Sequence, residues 1–200
     1  AAPTQIAAAA LALTTLDGQD QARGGDLKAS DKVVVSIDLG EAAANFRNLP
    51  TTAVTDIIYV DDGNGAVGKN ATWSTSGNNL VLTYTVGATD NGVITLDEDA
   101  LKTVLAASTI TDTAGNAITL PASFSAVTDP SQAVDTTAPA VSASALTLVT
   151  QNAGGTAKTA DVKEGDKVVL TIDLGEDAAN FVNLPTGSNS TVIQVDGTPM

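Results

Sequence analysis

Residues 31–50 read DKVVVSIDLGEAAANFRNLP, and residues 166–185 repeat this stretch as DKVVLTIDLGEDAANFVNLP. Sixteen of the twenty positions are identical, at a constant offset of 166 − 31 = 135 residues. The same offset relates positions on both sides of the stretch: Leu11, Leu13 and Thr15 to Leu146, Leu148 and Thr150, and Ile58, Val60 and Asp61 to Ile193, Val195 and Asp196. Agreement of this kind predicts two copies of one structural unit.

The repeat divides the chain into two predicted domains. Residues 1–134 hold one complete repeat, and residues 135–200 hold a linker and the N-terminal part of a second, because no equivalent of residues 70–127 follows. Half a unit leaves unpaired strand edges and an uncovered apolar face. We expect the polypeptide to continue beyond Met200; completion by strands of another subunit and partial disorder are the alternatives.

The first repeat is a series of short segments rich in Val, Ile and Thr, separated by Asp, Asn and Gly. This pattern predicts an all-β, antiparallel sandwich. Residues 97–105 (DEDALKTVL) start with acidic residues and carry apolar residues at helical spacing, so they predict one short inserted helix. The predicted strands are 11–16, 32–39, 55–61, 71–75, 79–86, 92–96, 108–111 and 117–126.

Composition excludes several functions. The chain has no His and no Cys, so it lacks a Ser-His-Asp triad, a thiolate nucleophile, a disulfide and His-ligated zinc. Nine Lys and Arg against 23 Asp and Glu give a net charge of −14, which argues against nucleic-acid binding. No apolar run approaches the roughly 18–20 residues of a membrane span, so no membrane insertion is expected.

An enzyme is also disfavoured. There is no SxxK motif and no Gly-rich phosphate loop. A pair of carboxylates for glycoside hydrolysis is the remaining catalytic arrangement, but acidic residues are abundant in the turns of this chain and carry little information there. The prediction is a protein without catalytic activity.

Two short motifs and one strand carry a family resemblance. Residues 135–139 (DTTAP) resemble the linker between bacterial Ig-like domains, and residues 111–116 (TDTAGN) resemble the TDxAGN turn near the end of such domains. The strand LVLTYTV at 80–86 also fits. The chain is therefore similar to the tandem Ig-like repeats of bacterial adhesins, surface-layer proteins and biofilm proteins. It departs from them in its length and in the segment 97–105.

The resemblance implies tandem Ig-like β-sandwiches at the bacterial cell surface. The expected function is that of a non-enzymatic extracellular structural module of a surface layer, fibre or adhesin, in contact with other copies or neighbouring repeats. One alternative is the stalk repeat of an adhesin that binds a cell-surface or matrix ligand elsewhere. A phage virion decoration protein is another.

Calcium is the expected cofactor. The resemblance implies calcium at domain junctions, and turns rich in Asp, Asn and Gly supply the hard oxygen ligands that calcium needs. In an Ig-like topology the acidic turns fall at the end of the first repeat nearest the second. The competing interpretation is that these residues shape turns through their own backbone. The candidate ligands are Asp61, Asp62, Asn64, Asp90, Asp129 and Asp135.

Overall fold

A computed structural model describes residues 5–127, 130–142, 144–175, 183–187, 192–195 and 198–199. The chain divides into two compact units, Ala1–Thr137 (unit 1) and Ala138–Met200 (unit 2). Among the described residues, no helix is long and apolar enough to cross a bilayer.

Unit 1 is built on a seven-stranded antiparallel sheet with the strand order β1-β2-β6-β5-β4-β7-β9. A separate two-stranded sheet pairs β3 with β8. The strands are β1 (Leu11–Leu16), β2 (Lys32–Asp38), β3 (Phe46–Arg47), β4 (Val54–Asp61), β5 (Ala66–Ser76), β6 (Asn79–Thr85), β7 (Gly92–Leu96), β8 (Thr111–Asp112) and β9 (Ala133–Val134).

The core of unit 1 follows from the alternation in its central strands. In β2 the side chains of Val33, Val35 and Ile37 are fully buried, while the residues between them are half-buried. In β6 the same alternation buries Leu80, Leu82 and Tyr84. Because β2 and β6 pair with Val35 opposite Leu82, the two apolar rows lie side by side on one face of the sheet.

Helix α1 (Glu98–Ala107) packs on this core through Leu101 and Leu105, which are buried. The Asp97 side chain accepts a hydrogen bond of 2.8 Å from the backbone amide of Ala100 and so caps the first turn. The predicted helix is confirmed, with its start one residue later and its end two residues later than the sequence pattern indicates.

The ends of the sheet are covered by irregular segments. On the β1 side, the amide of Arg23 donates to the carbonyl of Thr15. On the β9 side, the amide of Leu27 donates to Ala133 and its carbonyl accepts from Asp135. Arg23 and Leu27 both lie in the loop that follows β1, so a single loop is hydrogen-bonded to both outer strands of the sheet. The sheet is therefore curled, and this loop covers part of its two edges.

The last predicted strand pair is confirmed only next to its turn. Thr111 forms an antiparallel bridge with Ala117, and the amide of Ile118 donates to the carbonyl of Ile110. Thr111 and Asp112 also pair with β3, and residues 117–126 form no continuous strand. The predicted strand 71–75 is longer, because β5 begins at Ala66 directly after the turn 62–65. The mostly β, antiparallel character and the short helix are confirmed; the division into tandem Ig-like sandwiches stays a prediction.

Unit 2 contains the hairpin β10 (Leu146–Gln151) and β11 (Lys167–Ile172), and the short pair β12 (Gln194–Val195) and β13 (Thr198–Pro199). Leu146 lies opposite Ile172, and Gln151 lies opposite Lys167. Subtracting 135 from each number gives the register of β1 and β2, in which Leu11 lies opposite Ile37 and Leu16 opposite Lys32. The sequence repeat is therefore also a structural repeat of this hairpin.

Candidate interaction surface

The hairpin of unit 2 reproduces that of unit 1 down to its connecting loop. Asp17 accepts hydrogen bonds from the amides of Gln19 and Gln21. Its equivalent Asn152 accepts from the amides of Gly154 and Thr156, again two and four residues further on. A carboxylate in one copy and an amide in the other thus hold the same turn, because each offers an oxygen acceptor to the backbone.

The two copies differ in what covers them. At four positions the side chain is buried in unit 1 and about half exposed in unit 2. The exposed fractions are 1% for Ile6 against 54% for Val141, 0% for Leu27 against 52% for Val162, 0% for Ile37 against 49% for Ile172, and 1% for Ile57 against 58% for Val192.

The hairpin β10–β11 carries a row of apolar side chains on one of its faces. Its residues at the core positions of unit 1 form what we call the open face, and Leu146 and Leu148 in it are 59% and 64% exposed. Val168 and Leu170 are half-buried, whereas their equivalents Val33 and Val35 are fully buried. The open face comprises Leu146, Leu148, Val168, Leu170 and Ile172.

Strand β11 is paired on one side only within the part of the chain that the structure describes. In unit 1, β2 pairs with β1 on one side and with β6 on the other. Within the described residues, β11 pairs with β10 alone. A row of unpaired backbone amides and carbonyls beside an apolar face is the arrangement to which another strand adds. We call this side of β11 the open edge.

A buried carboxylate fixes the start of β2. The side chain of Asp31 is fully buried, with Lys28 Nζ 3.1 Å from Oδ1 and Arg23 Nε 3.1 Å from Oδ2. The backbone amide of Lys28 also donates to this carboxylate. Burial by itself raises the pKa of Asp31, but the hydrogen bonds from Lys28 and the charges of Lys28 and Arg23 outweigh it and hold the pKa below its usual range.

Unit 2 has the same carboxylate arrangement. Asp166, the equivalent of Asp31, pairs with Lys158 and accepts from the amide of Lys163. Lys158 stands where unit 1 has Arg23. These contacts, led by the one from Lys158, lower the pKa of Asp166. The sequence analysis did not single out these acidic residues, although both open the repeated stretch DKVV.

A second polar cluster lies around the C-terminal end of β6. Asp90 pairs with Lys69 at 2.7 Å and accepts hydrogen bonds from the Tyr84 hydroxyl and the Gly87 amide. Burial raises the pKa of Asp90, and the three donors together outweigh this and lower it. Burial and the adjacent carboxylate raise the pKa of Tyr84, so the phenol stays protonated and donates.

Two of the predicted calcium ligands shape the β4–β5 turn. Asp61 Oδ1 accepts from the amides of Gly63 and Gly65, and Asp62 Oδ1 accepts from the amide of Asn64. The pKa of Asp62 is lowered, mainly by the backbone and side-chain hydrogen bonds of Asn64. These are the local bonds that Asp makes in turns of any protein.

Hydrogen bonds join the β6–β7 turn to the start of the linker. The Asn91 side chain accepts from the amide of Thr136, and Thr136 Oγ1 donates to the carbonyl of Asp90. Asp135, another predicted ligand, accepts from the amide of Thr137. Asp129 lies outside the described residues.

The described residues contain no group of three or more acidic side chains that could hold a metal ion. To bind a cation, the Asp90 carboxylate would have to give up its ion pair with Lys69 and the hydrogen bond that it accepts from the Tyr84 hydroxyl. Calcium binding stays a prediction, and melting with and without a chelator tests it: a calcium-bound domain melts at higher temperature when calcium is present.

A groove of about 500 Å³ lies beside the start of α1, and Tyr59 and Phe124 are among the residues that line it. Its acidic residues include Asp97 and Glu98. Asp97 caps the helix, and Glu98 accepts from the backbone amide of Val127. Both carboxylates are thus engaged in holding the fold together.

Comparison with known proteins gives no relative. The chain matches no protein-family model, no curated protein and no solved structure. Only the open face and open edge of unit 2 combine exposed apolar side chains with unpaired backbone among the described residues.

Proposed function

We propose that this chain is a non-enzymatic structural module of an extracellular bacterial assembly, a surface layer, fibre or adhesin, that contacts other copies or neighbouring repeats through β-strand edges. The observation that carries the proposal is the hairpin repeated at an offset of 135 residues with the same register. Repeated β-units joined end to end serve as spacers and lattice elements, because each copy adds length and a further contact surface.

Two further observations support the proposal. The chain contains no Cys, and its buried charges sit in structural pairs such as Asp31 with Lys28. The sequence resemblance of DTTAP at 135–139 and TDTAGN at 111–116 to Ig-like repeats points to the same class of protein. The extracellular location is implied by this resemblance and is part of the proposal.

The test is labelling of intact, unpermeabilised cells that produce the protein, with antibodies raised against this chain. Labelling of intact cells at the level seen after permeabilisation is expected. Labelling that requires permeabilisation would exclude an extracellular module. Sedimentation of the purified chain then separates a self-associating lattice or fibre subunit, which forms oligomers, from a stalk repeat, which stays monomeric.

A further inference from the structure

The sequence contains two steps at which Asn is followed by Gly, Asn64-Gly65 and Asn91-Gly92. At such a step the backbone nitrogen of the glycine can attack the side-chain carbonyl carbon of the asparagine, because glycine has no Cβ that obstructs the approach. Both steps lie in unit 1, but their surroundings differ. The fold therefore decides which of the two can react.

The step Asn64-Gly65 lies in the turn between β4 and β5. Both residues are exposed, and nothing lies within 4 Å of the Cβ position of Gly65. The amide of Gly65 donates to Asp61 over 3.3 Å, which is longer than the usual range of about 2.7–3.2 Å. The backbone and side-chain amides of Asn64 hydrogen-bond to Asp62. The bonds that hold this step therefore come from its own exposed turn and move with it.

The step Asn91-Gly92 is fixed by contacts with a distant part of the chain. The Asn91 side chain accepts hydrogen bonds from the amide of Thr136 at 2.8 Å and from the hydroxyl of Thr137 at 3.2 Å. Gly92 is the first residue of β7 and is paired with β9. Its Cβ position lies 2.0 Å from the carbonyl oxygen of Asp61, so the backbone at this step is packed tightly against β4.

We infer that Asn64 is a site of spontaneous, irreversible modification in the folded chain, and that Asn91 is protected from the same reaction. The nitrogen of Gly65 forms a bond to Cγ of Asn64, and the side-chain nitrogen leaves as ammonia with the proton of the attacking nitrogen. Water then opens the cyclic imide at one of its two carbonyl carbons. Opening at one carbon gives aspartate, and opening at the other gives isoaspartate, in which the backbone runs through the side-chain carbon.

The reaction needs only water and the geometry of the turn, so the inference does not rest on the proposed function. Its products change the hydrogen bonds of the turn. A carboxylate at position 64 cannot donate to Asp62, as the side-chain amide does, and it places a second negative charge beside that residue. Isoaspartate also lengthens the backbone between β4 and β5, which pair from Asp61 and Ala66 onward. Both products therefore loosen this turn, and the altered form accumulates with the age of the molecule.

The test is peptide mapping of the full chain after incubation in mildly alkaline buffer at physiological temperature. Trypsin cleaves after Arg47, Lys69 and Lys102, so the two steps fall on separate peptides, 48–69 and 70–102. Digestion in mildly acidic buffer keeps the reaction from continuing during preparation. We expect the mass gain of an amide replaced by a carboxyl group in peptide 48–69, placed at position 64 by fragmentation. Two products of equal mass should separate by chromatography.

Asn91 should react at least roughly tenfold more slowly than Asn64, because β7 must open locally before its step can cyclise. In the urea-unfolded chain the two steps should react at similar rates, which attributes the difference to the fold. Asn64→Gln should abolish the mass gain in peptide 48–69, since its longer side chain closes a larger and less favourable ring. The matched control is Asn70→Gln at an exposed position of β5, which leaves the rate at Asn64 unchanged.

Three results would overturn the inference. One is equal conversion of Asn64 and Asn91 in the folded chain. Another is absence of conversion at Asn64 over the time in which the unfolded chain reacts. The third is aspartate as the sole product, since direct hydrolysis of the side-chain amide does not pass through the cyclic imide. Cell-surface labelling is independent of all three, so failure here and failure of the proposed function are distinguishable.

Discussion

Asp31 is the residue on which the start of β2 most depends. Its carboxylate is fully buried and held by Lys28 and Arg23. Asp31→Asn removes the negative charge and leaves both cations without their partner. We expect the free energy of unfolding to fall by about 2 kcal/mol, below the full cost of breaking a buried pair because both cations reach solvent.

Urea denaturation of the variant and the parent chain measures this loss. The matched control is Asp20→Asn, since Asp20 pairs with Lys32 but is 64% exposed. A surface pair contributes roughly 0–1 kcal/mol, so the control should lie close to the parent. Equal losses in the two variants would contradict the role given to Asp31.

Acid should weaken the fold by protonating the carboxylates of Asp31 and Asp90, which are ion-paired in the folded chain. The pKa values of Asp31 and Asp90 are lowered in the folded chain, relative to about 3.9 when unfolded. A lowered pKa contributes stability that is present above the unfolded value and is lost as the pH falls through the folded value. Urea midpoints should therefore be nearly constant from about pH 7 to about pH 5 and fall steeply below about pH 4. Asp31→Asn should make this fall shallower, and an unchanged slope would remove Asp31 from the explanation.

At the scale of the element, the β6–β7 connection depends on one glycine. Gly92 has φ of 125°, and a Cβ built there would lie 2.0 Å from the carbonyl oxygen of Asp61. Gly92→Ala therefore forces β7 away from β4, at a cost of at least about 2 kcal/mol. Gly24→Ala is the matched control, because nothing lies within 4 Å of its Cβ position. Thermal unfolding of both variants tests this, and equal melting temperatures would contradict it.

The sequence predicts the strands of unit 1 best where an alternating apolar pattern is bounded by turn residues and the strand pairs with a neighbour that is close in the sequence. Strands 11–16 and 92–96 have the predicted bounds, since alternation and turn residues mark both ends. The predicted strand 117–126 fails beyond Ile118, where the amide of Ile6 donates to Thr119 and the amide of Ser125 donates to Ala8, across more than a hundred residues. Pairing over such separations leaves no local pattern.

The same limit applies to the candidate sites. Asp61 and Asp62 were predicted as ligands because they lie in a turn with Asn and Gly, and the turn itself uses their oxygens. The pairing of β10 with β11 could be predicted from the repeat, because it has the register of β1 with β2. The exposure of Val162 and Ile172, whose equivalents Leu27 and Ile37 are buried, could not be read from identical local patterns.

At the scale of the whole molecule, the two units should differ in stability although they share a hairpin. In unit 1, β2 is hydrogen-bonded on both sides and its apolar row is fully buried. In unit 2, β11 has one partner among the described residues and its apolar row is partly exposed. Local opening is easiest where few buried contacts hold a segment, so β11 should open more often than β2.

Hydrogen exchange of the full chain measures this difference directly, because 32–38 and 167–172 are nearly identical in sequence and their intrinsic exchange rates are similar. We expect the amides of 167–172 to exchange at least about tenfold faster than those of 32–38. Equal protection of the two strands would contradict the expected difference in stability between the units.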